Sequence, residues 1–470
     1  MSVVTNTPVQ TPVEQPLYFR HQKVYPREIQ GRFARLRTLS VWVLLGLFYL
    51  LPWVQWGDRQ AVLFDLPARK FFILGVVFWP QDFIFLTWLL IIAALALFFF
   101  TAVGGRLWCG YACPQTVWTE AFLWMERLVE GDRSVRMKLD RAPWSAQKLG
   151  RKTLKQFLWI TFALWTGFTF VGFFTPIRTL SAEVATLTLG GWEIFWILFY
   201  GFATYGNAGY LREQVCKYMC PYARFQGAMF DRNTLIITYD GERGDPRGAR
   251  RRGTDARAQG LGDCIDCTLC VQVCPTGIDI RDGLQIDCIA CAACIDVCDD
   301  VMDKMGSPRG LIRYTTQQAL EHKPIKLLRP RVIIYGALLT ALIVGFGVAL
   351  MMRAPLSLDV IRDRNTLYRL TDEGEVDNVY TIRILNKAEH ERVFRLEARG
   401  GSALTMLPGD REYRVPSGAV YSLPLRVRRD AYDAETNAVL GPETITFTLR
   451  AADDESVFTE TEARFLAPRK

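Results

Sequence analysis

The sequence predicts an integral membrane protein of several domains, in which an α-helical membrane domain is joined to a cysteine-rich insert and a C-terminal β-sandwich. Three observations lead to this fold class: five long apolar segments, two runs of four closely spaced cysteines, and a C-terminal segment in which apolar and polar residues alternate. The 470 residues are 50% hydrophobic and 22% charged. This combination is expected when membrane spans carry water-soluble domains.

Five apolar segments are long enough to cross a bilayer, which takes about 20 helical residues. Each lacks Asp, Glu, Lys and Arg in its interior, as expected where hydrocarbon cannot solvate a charge. The predicted spans are residues 38–56, 83–103, 157–174, 194–210 and 332–352. A sixth apolar stretch, residues 71–79, is too short and stops at Pro80, so we expect an interfacial or re-entrant piece.

The distribution of basic residues predicts the orientation of these spans, because Lys and Arg are retained on the cytoplasmic side. Residues 17–37 hold six Lys and Arg and residues 104–156 hold ten, against three in residues 57–82 and one, Arg178, in residues 175–191. The pattern predicts a multi-pass protein of the bacterial inner membrane with the N-terminus inside and the C-terminus outside. No cleavable signal peptide is expected, because residues 1–37 begin polar and become basic.

The net charge of +8 does not indicate nucleic-acid binding, because the basic residues lie at the ends of the apolar segments, against the lipid bilayer. The domains that follow from this organisation can be stated by residue range. They are a cytoplasmic N-terminal segment (1–37), a membrane domain with four spans (38–239), a cytoplasmic linker and cysteine-rich domain (240–330), a fifth span (331–353) and a periplasmic domain (354–470).

The C-terminal domain has the alternating pattern of half-buried strands, for example in residues 379–385 and 443–449. Several such runs, separated by Gly, Pro, Asn and Asp, predict an antiparallel sandwich, with an immunoglobulin-like fold as the version expected. The domain has no cysteine and one histidine, His390, so we expect it to contact a protein rather than to hold a metal.

Two cysteine quartets carry the clearest chemical signal. Each has the spacing C-x2-C-x2-C-x3-C, in which three thiolates hold one [4Fe-4S] cube and the fourth reaches the neighbouring cube. The insert is therefore predicted to be a ferredoxin-like domain with two clusters. The predicted ligands are Cys264, Cys267, Cys270 and Cys298 for cluster 1, and Cys288, Cys291, Cys294 and Cys274 for cluster 2. Zinc is the alternative, but its four thiolates usually come as two separated pairs.

A second set of cysteines forms an internal repeat, since C-x3-C-P follows both the second and the fourth predicted span. The repeat contains Cys109 and Cys113 in one copy and Cys216 and Cys220 in the other. On a helix, residues four apart share a side, and Pro after the second cysteine disfavours helical geometry there. If the copies pack together, four soft thiolates could hold Cu(I), zinc or an iron–sulfur centre. The alternatives are buried apolar cysteines or a dithiol without a bound ion.

The three histidines, His21, His322 and His390, are scattered along the chain and offer no pair of axial haem ligands inside the membrane.

Taken together, these features resemble the CcoG family, also called FixG or RdxA. The resemblance covers nearly the whole chain. It includes residues 23–27 (KVYPR), 78–82 (FWPQD), 105–115 (GRLWCGYACPQ) and 216–226, together with both quartets. It implies a role in assembling the cbb-type cytochrome oxidase, with Cu(II) reduced to Cu(I) before delivery.

Under this hypothesis an unknown cytosolic donor reduces the clusters, and copper receives electrons at or near Cys109, Cys113, Cys216 and Cys220. The partners implied are subunits of the oxidase or copper-delivery proteins. Two competing hypotheses remain: a quinol-linked electron-transfer subunit similar to the NapH family, and a non-redox assembly scaffold in which the sandwich binds an oxidase subunit.

Overall fold

The structure is a computed structural model that describes residues 23–326, 328–364, 366–388, 390–401, 403–409, 412–432 and 441–468. The prediction for His21, and the first part of the predicted N-terminal segment, lie outside the described residues.

Fourteen α-helices occur in the described part of the chain. They are α1 (Arg32–Leu50), α2 (Phe83–Gly104), α3 (Leu107–Tyr111), α4 (Pro114–Glu130), α5 (Arg133–Arg141), α6 (Ala146–Val171), α7 (Ile177–Thr186), α8 (Gly191–Thr204), α9 (Pro221–Met229), α10 (Gly241–Gly244), α11 (Leu269–Gln272), α12 (Ala293–Met305), α13 (Gln317–Leu320) and α14 (Pro330–Met351). Two π-helical segments, Tyr205–Leu211 and Val215–Met219, follow α8.

Sixteen strands accompany the helices in the same residues. They are β1 (Gln55–Trp56), β2 (Arg59–Gln60), β3 (Val62–Asp65), β4 (Lys70–Ile73), β5 (Val76–Phe78), β6 (Ile236–Tyr239), β7 (Ile312–Thr315), β8 (Leu356–Arg362), β9 (Arg369–Leu370), β10 (Glu375–Asn386), β11 (Arg392–Arg399), β12 (Thr405–Leu407), β13 (Glu412–Val415), β14 (Val420–Asp430), β15 (Glu443–Ala451) and β16 (Phe458–Phe465).

Helices lie at all five predicted spans, but they differ in how well they suit a membrane. Three, Arg32–Trp53, Pro80–Gly104 and Pro330–Met351, are long and apolar enough to cross one by length and composition. A fourth is added if α7 and the Gly191–Leu211 helix are one broken span, bent by 99°. Helix α6 covers the third predicted span but begins with a basic turn that includes Lys148, Lys152 and Lys155. By length and composition the described helices thus provide three spans, or four with the broken pair, and not the five predicted.

Residues 71–79 form strands rather than a helix. Strand β4 pairs antiparallel with β3 and with β5, so a three-stranded sheet accounts for most of the apolar stretch that the sequence analysis assigned to an interfacial or re-entrant piece. This sheet was not predicted, because the apolar residues are continuous and a short continuous run does not distinguish strand from helix.

By its contacts the chain divides into two compact units. The first contains residues 1–44, 100–162 and 204–327, and so holds all twelve cysteines. Within it, β6 pairs antiparallel with β7 across the base of the cysteine-rich insert. Residues between these strands pack around the cysteines, and Ile280, Ala292, Met302 and Leu311 are among the most deeply buried.

The second unit contains residues 45–99, 163–203 and 328–470, and its C-terminal part is a two-sheet sandwich. One sheet has the order β12-β14-β10-β8, with β9 beside β10, and the other has the order β13-β11-β15-β16. Alternate residues of β10 and β15 point between the sheets, and Tyr380, Ile382, Phe394 and Phe447 are fully buried there. The predicted antiparallel sandwich is thus confirmed.

Candidate metal centres

The two cysteine quartets fold into the same local turn. In each, the residues before and after the second cysteine have a left-handed backbone: Asp266 and Thr268 in the first quartet, Ala290 and Ala292 in the second. Such a backbone costs about 1–2 kcal/mol for a residue other than glycine. Helices α11 and α12 then start directly after Thr268 and Ala292. The chain therefore curves around the cavity that the cysteines of the quartet line.

Each quartet of predicted ligands lines one small cavity. The first is lined by Cys264, Cys267, Cys270 and Cys298, and the second by Cys274, Cys288, Cys291 and Cys294, with Cys270 also reaching the second. Apolar side chains such as Leu269, Val297 and Ile280 form much of the remaining walls. Four sulfur donors in an apolar enclosure are the donor set that a [4Fe-4S] cluster requires. The residues present therefore fit two such clusters.

Burial strongly affects these thiols. It raises the pKa of Cys270, Cys288 and Cys298 to about 12 in each case, and it also raises the pKa of Cys291 and Cys294. A cysteine binds a metal as its thiolate. Cluster binding must therefore release the protons of these thiols, and the affinity of the site for its cluster depends on pH. In the described residues, no three His, Cys, Asp or Glu side chains surround a point suited to a single metal ion.

The linker at residues 240–263 holds the first quartet in place. The Cys264 amide donates to the Gly244 carbonyl at 3.3 Å, and the Gly248 amide donates to the Cys264 carbonyl at 3.2 Å. Arg250 donates to the carbonyls of Gly262 and Asp263 at 2.6 and 3.0 Å. Cys267 is nevertheless exposed, so one side of the first cavity lies close to solvent.

The two C-x3-C-P elements also share a local structure, which differs in one respect from the sequence-based expectation. Cys113 and Cys220 are both extended and both stand immediately before a helix that begins with proline. The predicted loss of helical geometry at these cysteines is confirmed. It also means that Cys109, in α3, and Cys113 do not lie on one helix, because α3 ends at Tyr111.

The structure brings the four thiols of these elements together. Burial raises the pKa of Cys216 to about 12, and the nearby thiols of Cys113, Cys109 and Cys220 add to the effect. Burial likewise raises the pKa of Cys109 to about 11. Burial raises the pKa of Cys113 too, although the amides of Thr116 and Gln115 at the start of α4 favour its thiolate. The four half-buried thiols thus lie near one another, although in the described residues no three of them surround a point suited to one metal ion; they are called here the four-thiol site.

Contacts between the two repeats position the four-thiol site. Gln115, two residues after Cys113, donates to the carbonyls of Asn207 and Arg212 at 2.9 and 3.1 Å. Arg212, four residues before Cys216, donates to the buried carboxylate of Glu126 on α4 at 2.8 Å. These bonds fix the segment before one cysteine pair to the helix that follows the other.

Two buried residues beside the cysteines were not identified from the sequence. Gln226 is fully buried and accepts a weak hydrogen bond from the Cys109 sulfur at 3.5 Å. Arg106 is only 6% exposed and donates to the carbonyls of Cys288 and Ala223 at 3.2 and 2.8 Å. In the sequence, Arg106 is indistinguishable from the many basic residues that flank apolar segments.

Three protein-family models match the chain. A "4Fe-4S dicluster domain" matches residues 211–317, a "4Fe-4S binding domain" matches residues 86–133, and an "IG-like fold at C-terminal of FixG" matches residues 346–468. The second match covers Cys109 and Cys113, and the third covers the sandwich. With the apolar helices, these matches define a membrane-associated iron–sulfur redox protein that ends in an immunoglobulin-like domain.

Curated relatives cover most of the chain. "Nitrogen fixation protein FixG" of Rhizobium meliloti (strain 1021) is 39% identical over 434 residues, which are 84% of this chain and 82% of that protein. "Protein RdxA" of Cereibacter sphaeroides is 42% identical over 412 residues, which are 83% of this chain and 85% of that protein. The chain belongs to the FixG/RdxA family, and the resemblance based on the sequence motifs is confirmed.

A solved structure, the FixG-related protein from Vibrio parahaemolyticus, is 30% identical to this chain. It aligns with a TM-score of 0.22 and covers 24% of this chain and 98% of that chain.

Proposed function

We propose that this protein is an electron-transfer protein of the bacterial inner membrane that reduces Cu(II) to Cu(I) for assembly of a cbb-type cytochrome oxidase. One observation carries the proposal: two cavities, each lined by one predicted cysteine quartet, lie in the same compact unit as a further group of four thiols. The first two suit bound clusters, and the third offers the soft sulfur donors that Cu(I) prefers.

In this proposal cluster 1 is held by Cys264, Cys267, Cys270 and Cys298, and cluster 2 by Cys274, Cys288, Cys291 and Cys294. When bound, each cluster accepts and releases one electron at a time. The chain supplies the thiolates, the apolar walls and the left-handed turns that point the thiolates inward. Because the clusters need deprotonated cysteines, iron loading should release protons from thiols whose pKa burial has raised.

Copper is the proposed substrate of the four-thiol site. Soft thiolates prefer Cu(I) to harder ions, so they would retain the reduced product until it is passed on. Each Cu(II) ion takes up one electron, which an as yet unknown cytosolic donor replaces. Zinc or a third iron–sulfur centre at Cys109, Cys113, Cys216 and Cys220 would be equally compatible with sulfur ligands, and metal analysis distinguishes them.

The proposed topology has five spans, with the N-terminus and residues 211–330 in the cytoplasm and residues 354–470 in the periplasm. The positive-inside rule supports this orientation, and α6 and α8 would supply the two spans beyond the three most apolar helices. The periplasmic sandwich would contact an oxidase subunit or a copper-delivery protein, since its described residues include only one histidine and no cysteine.

The test uses full-length protein purified in detergent without oxygen. Two clusters predict about eight irons per chain, whereas about twelve would place a third cluster at the four-thiol site. Dithionite-reduced protein is freed of excess reductant and mixed with Cu(II), and Cu(I) is trapped with a chelator. The single variants Cys109→Ser, Cys113→Ser, Cys216→Ser and Cys220→Ser should keep their iron but form Cu(I) much more slowly. Normal rates in all four variants would exclude this site.

A second candidate function, quinol oxidation, is favoured by one cavity in the first unit. It is lined by both Cys216 and Cys291, with Leu123, Arg37 and Gln115 among its other walls. A ring with two oxygens could be held there by apolar contacts and donors. If a soluble quinol bleaches the oxidised cluster absorbance of the purified protein, this function is supported. Clusters that stay redox-inert with every donor would instead support the scaffold hypothesis.

A further inference from the structure

We propose that cluster 2, not cluster 1, exchanges electrons with the four-thiol site, across a direct backbone contact between residues 109–111 of α3 and the cluster 2 loop, residues 286–291. The inference rests on the function proposed above and adds the order of the redox centres. Three groups of contacts carry it: the packing of Gly110, the hydrogen bonds of Arg106, and the bonds that fix the other carbonyls of the loop.

Gly110 lies between Cys109 and the end of α3, and its backbone is pressed against the cluster 2 loop. A Cβ atom added to Gly110 would lie 2.7 Å from the Ala290 carbonyl oxygen and 2.9 Å from the Ile289 carbonyl oxygen. Both distances are shorter than real Cβ contacts allow, so only glycine permits this approach. The end of α3 that carries Cys109 and the cluster 2 loop therefore touch through their main chains.

Arg106 joins the same two elements from the side. Its guanidinium donates to the carbonyls of Ile286 and Cys288 on the loop, and to the carbonyl of Ala223, three residues after Cys220. Arg106 also precedes Cys109 by three residues. A single buried cation thus connects the cluster 2 loop to both copies of the C-x3-C-P element.

Two further carbonyls of the cluster 2 loop also accept hydrogen bonds from side chains. Tyr314 donates to the Ala290 carbonyl at 2.7 Å, and Arg37 donates to the Cys291 carbonyl at 3.3 Å. These bonds leave the loop little freedom to move away from Gly110. A fixed contact of this kind keeps the separation of donor and acceptor constant.

The cluster 1 loop has a different environment. The backbone of Cys264 forms hydrogen bonds with the linker residues Gly244 and Gly248, and Cys267 is exposed. Cys270 lines both cavities, so the two clusters would be neighbours. The order is therefore a soluble one-electron donor, cluster 1, cluster 2 and then copper. In the last step cluster 2 loses one electron and Cu(II) becomes Cu(I).

The first experiment compares Gly110→Ala with Gly150→Ala, a control in the same unit whose added Cβ meets no atom within 4 Å. Iron content is measured, and each cluster is titrated by potentiometric EPR with and without Cu(I) at the four-thiol site. In the wild type and in Gly150→Ala, Cu(I) should shift the midpoint potential of cluster 2 and leave that of cluster 1 unchanged. In Gly110→Ala the shift should shrink and cluster reoxidation by Cu(II) should slow several-fold at unchanged iron content.

The second experiment disables one cluster at a time, with Cys267→Ser for cluster 1 and Cys294→Ser for cluster 2. After reduction with dithionite, Cys267→Ser should still reduce Cu(II), at one electron per chain. Cys294→Ser should hold a reduced cluster 1 that Cu(II) does not reoxidise.

Reoxidation of cluster 1 at the wild-type rate in Cys294→Ser would overturn the inference, as would a Cu(I)-induced shift confined to cluster 1. If the wild type forms no Cu(I) at all, the proposed function fails instead. The potential shifts would then still show whether cluster 2 is coupled to the four-thiol site. Should either cysteine variant lose both clusters, Gly110→Ala decides the question alone.

Discussion

At the scale of single residues, Glu126 is a buried charge shared by four cations of the first unit. Its carboxylate is fully buried on α4 and lies 2.8 Å from Arg212 and 3.2 Å from Arg136, with Lys23 at 3.6 Å and Lys155 at 3.9 Å. Burial alone would raise the pKa of Glu126, but the cations around it lower the pKa to about 2. One carboxylate thus ties the N-terminal segment, α5, α6 and the segment before Cys216 to α4.

Replacing Glu126 should therefore be costly. The change Glu126→Gln leaves several buried cations without their shared partner, and the loss of one member of a buried pair costs about 3–5 kcal/mol. We expect a clear fall in the thermal unfolding midpoint of the full-length protein in detergent. Asp303→Asn is the matched control, because its pair with Arg309 is exposed and should contribute little. Equal midpoints for the two variants would contradict this role of Glu126.

The same carboxylate predicts a pH dependence. The pKa of Glu126 is about 2 in the folded protein, below its ordinary value of 4.5. Its ion pairs therefore stabilise the fold fully above the ordinary value, and this contribution is lost as the pH falls from there toward 2. Thermal unfolding followed by circular dichroism from about pH 6 to about pH 3 should show a smaller decline for Glu126→Gln than for the wild type. Parallel declines would show that other groups determine the acid response.

At the scale of elements, the proline after each cysteine pair decides where the thiols point. Pro114 and Pro221 begin α4 and α9, and they keep Cys113 and Cys220 extended. Each second cysteine therefore stands immediately before the first turn of a helix, and at Cys113 the amides of Gln115 and Thr116 favour the thiolate. The repeated break, rather than one continuous helical face, is what assembles the four-thiol site.

Removing one of these prolines tests the role of the break. In Pro114→Ala the residue before position 114 is free to become helical, so α3 and α4 can join and turn Cys113 away from the other thiols. We expect Cu(I) binding to weaken about tenfold or more, as when the support of a metal ligand is lost. A chelator competition assay measures this, with Pro67→Ala in an exposed turn as the control. Unchanged affinity would mean that the proline does not position Cys113.

At the scale of the whole molecule, the proposed redox function and the proposed partner binding belong to different compact units. The first contains every cysteine, and the second contains the β-sandwich. In the proposed topology the redox chemistry takes place on the cytoplasmic side, while the sandwich meets its partner on the periplasmic side. The charge on the flanking loops, rather than the fold of either unit, is the basis of this proposed orientation.

The span count can be tested with phosphatase fusions, which are active only outside the cytoplasm. With five spans, fusions after Leu187 and after Arg353 should both be active, and a fusion after Gly131 should be inactive. Leu187 is the informative position, because residues 175–191 reach the periplasm only if α6 crosses the membrane. An inactive fusion there, beside an active one after Arg353, would reduce the count to the three most apolar helices.

Features that depend on neighbours along the chain were predictable from the amino-acid sequence. Cysteine spacing indicated the two quartets, charge-free apolar runs indicated helices at five places, and alternation indicated the sandwich. The same local reasoning was insufficient at residues 70–78, whose strands are recognisable only through their pairing. It also placed Cys109 and Cys113 on one helix, which the break at Tyr111 prevents.

Contacts between distant residues, in contrast, become visible only in the packed fold. Arg106 and Cys288 are 182 positions apart, Glu126 and Arg212 are 86 apart, and Gly110 touches the loop at Ala290. Local propensity and spacing carry no information about such pairs, because each contact exists only when whole elements have packed. The kinds of metal centre could thus be predicted from the sequence. The contact between Gly110 and the cluster 2 loop, from which we infer the order of the centres, arises from packing between residues far apart in the chain.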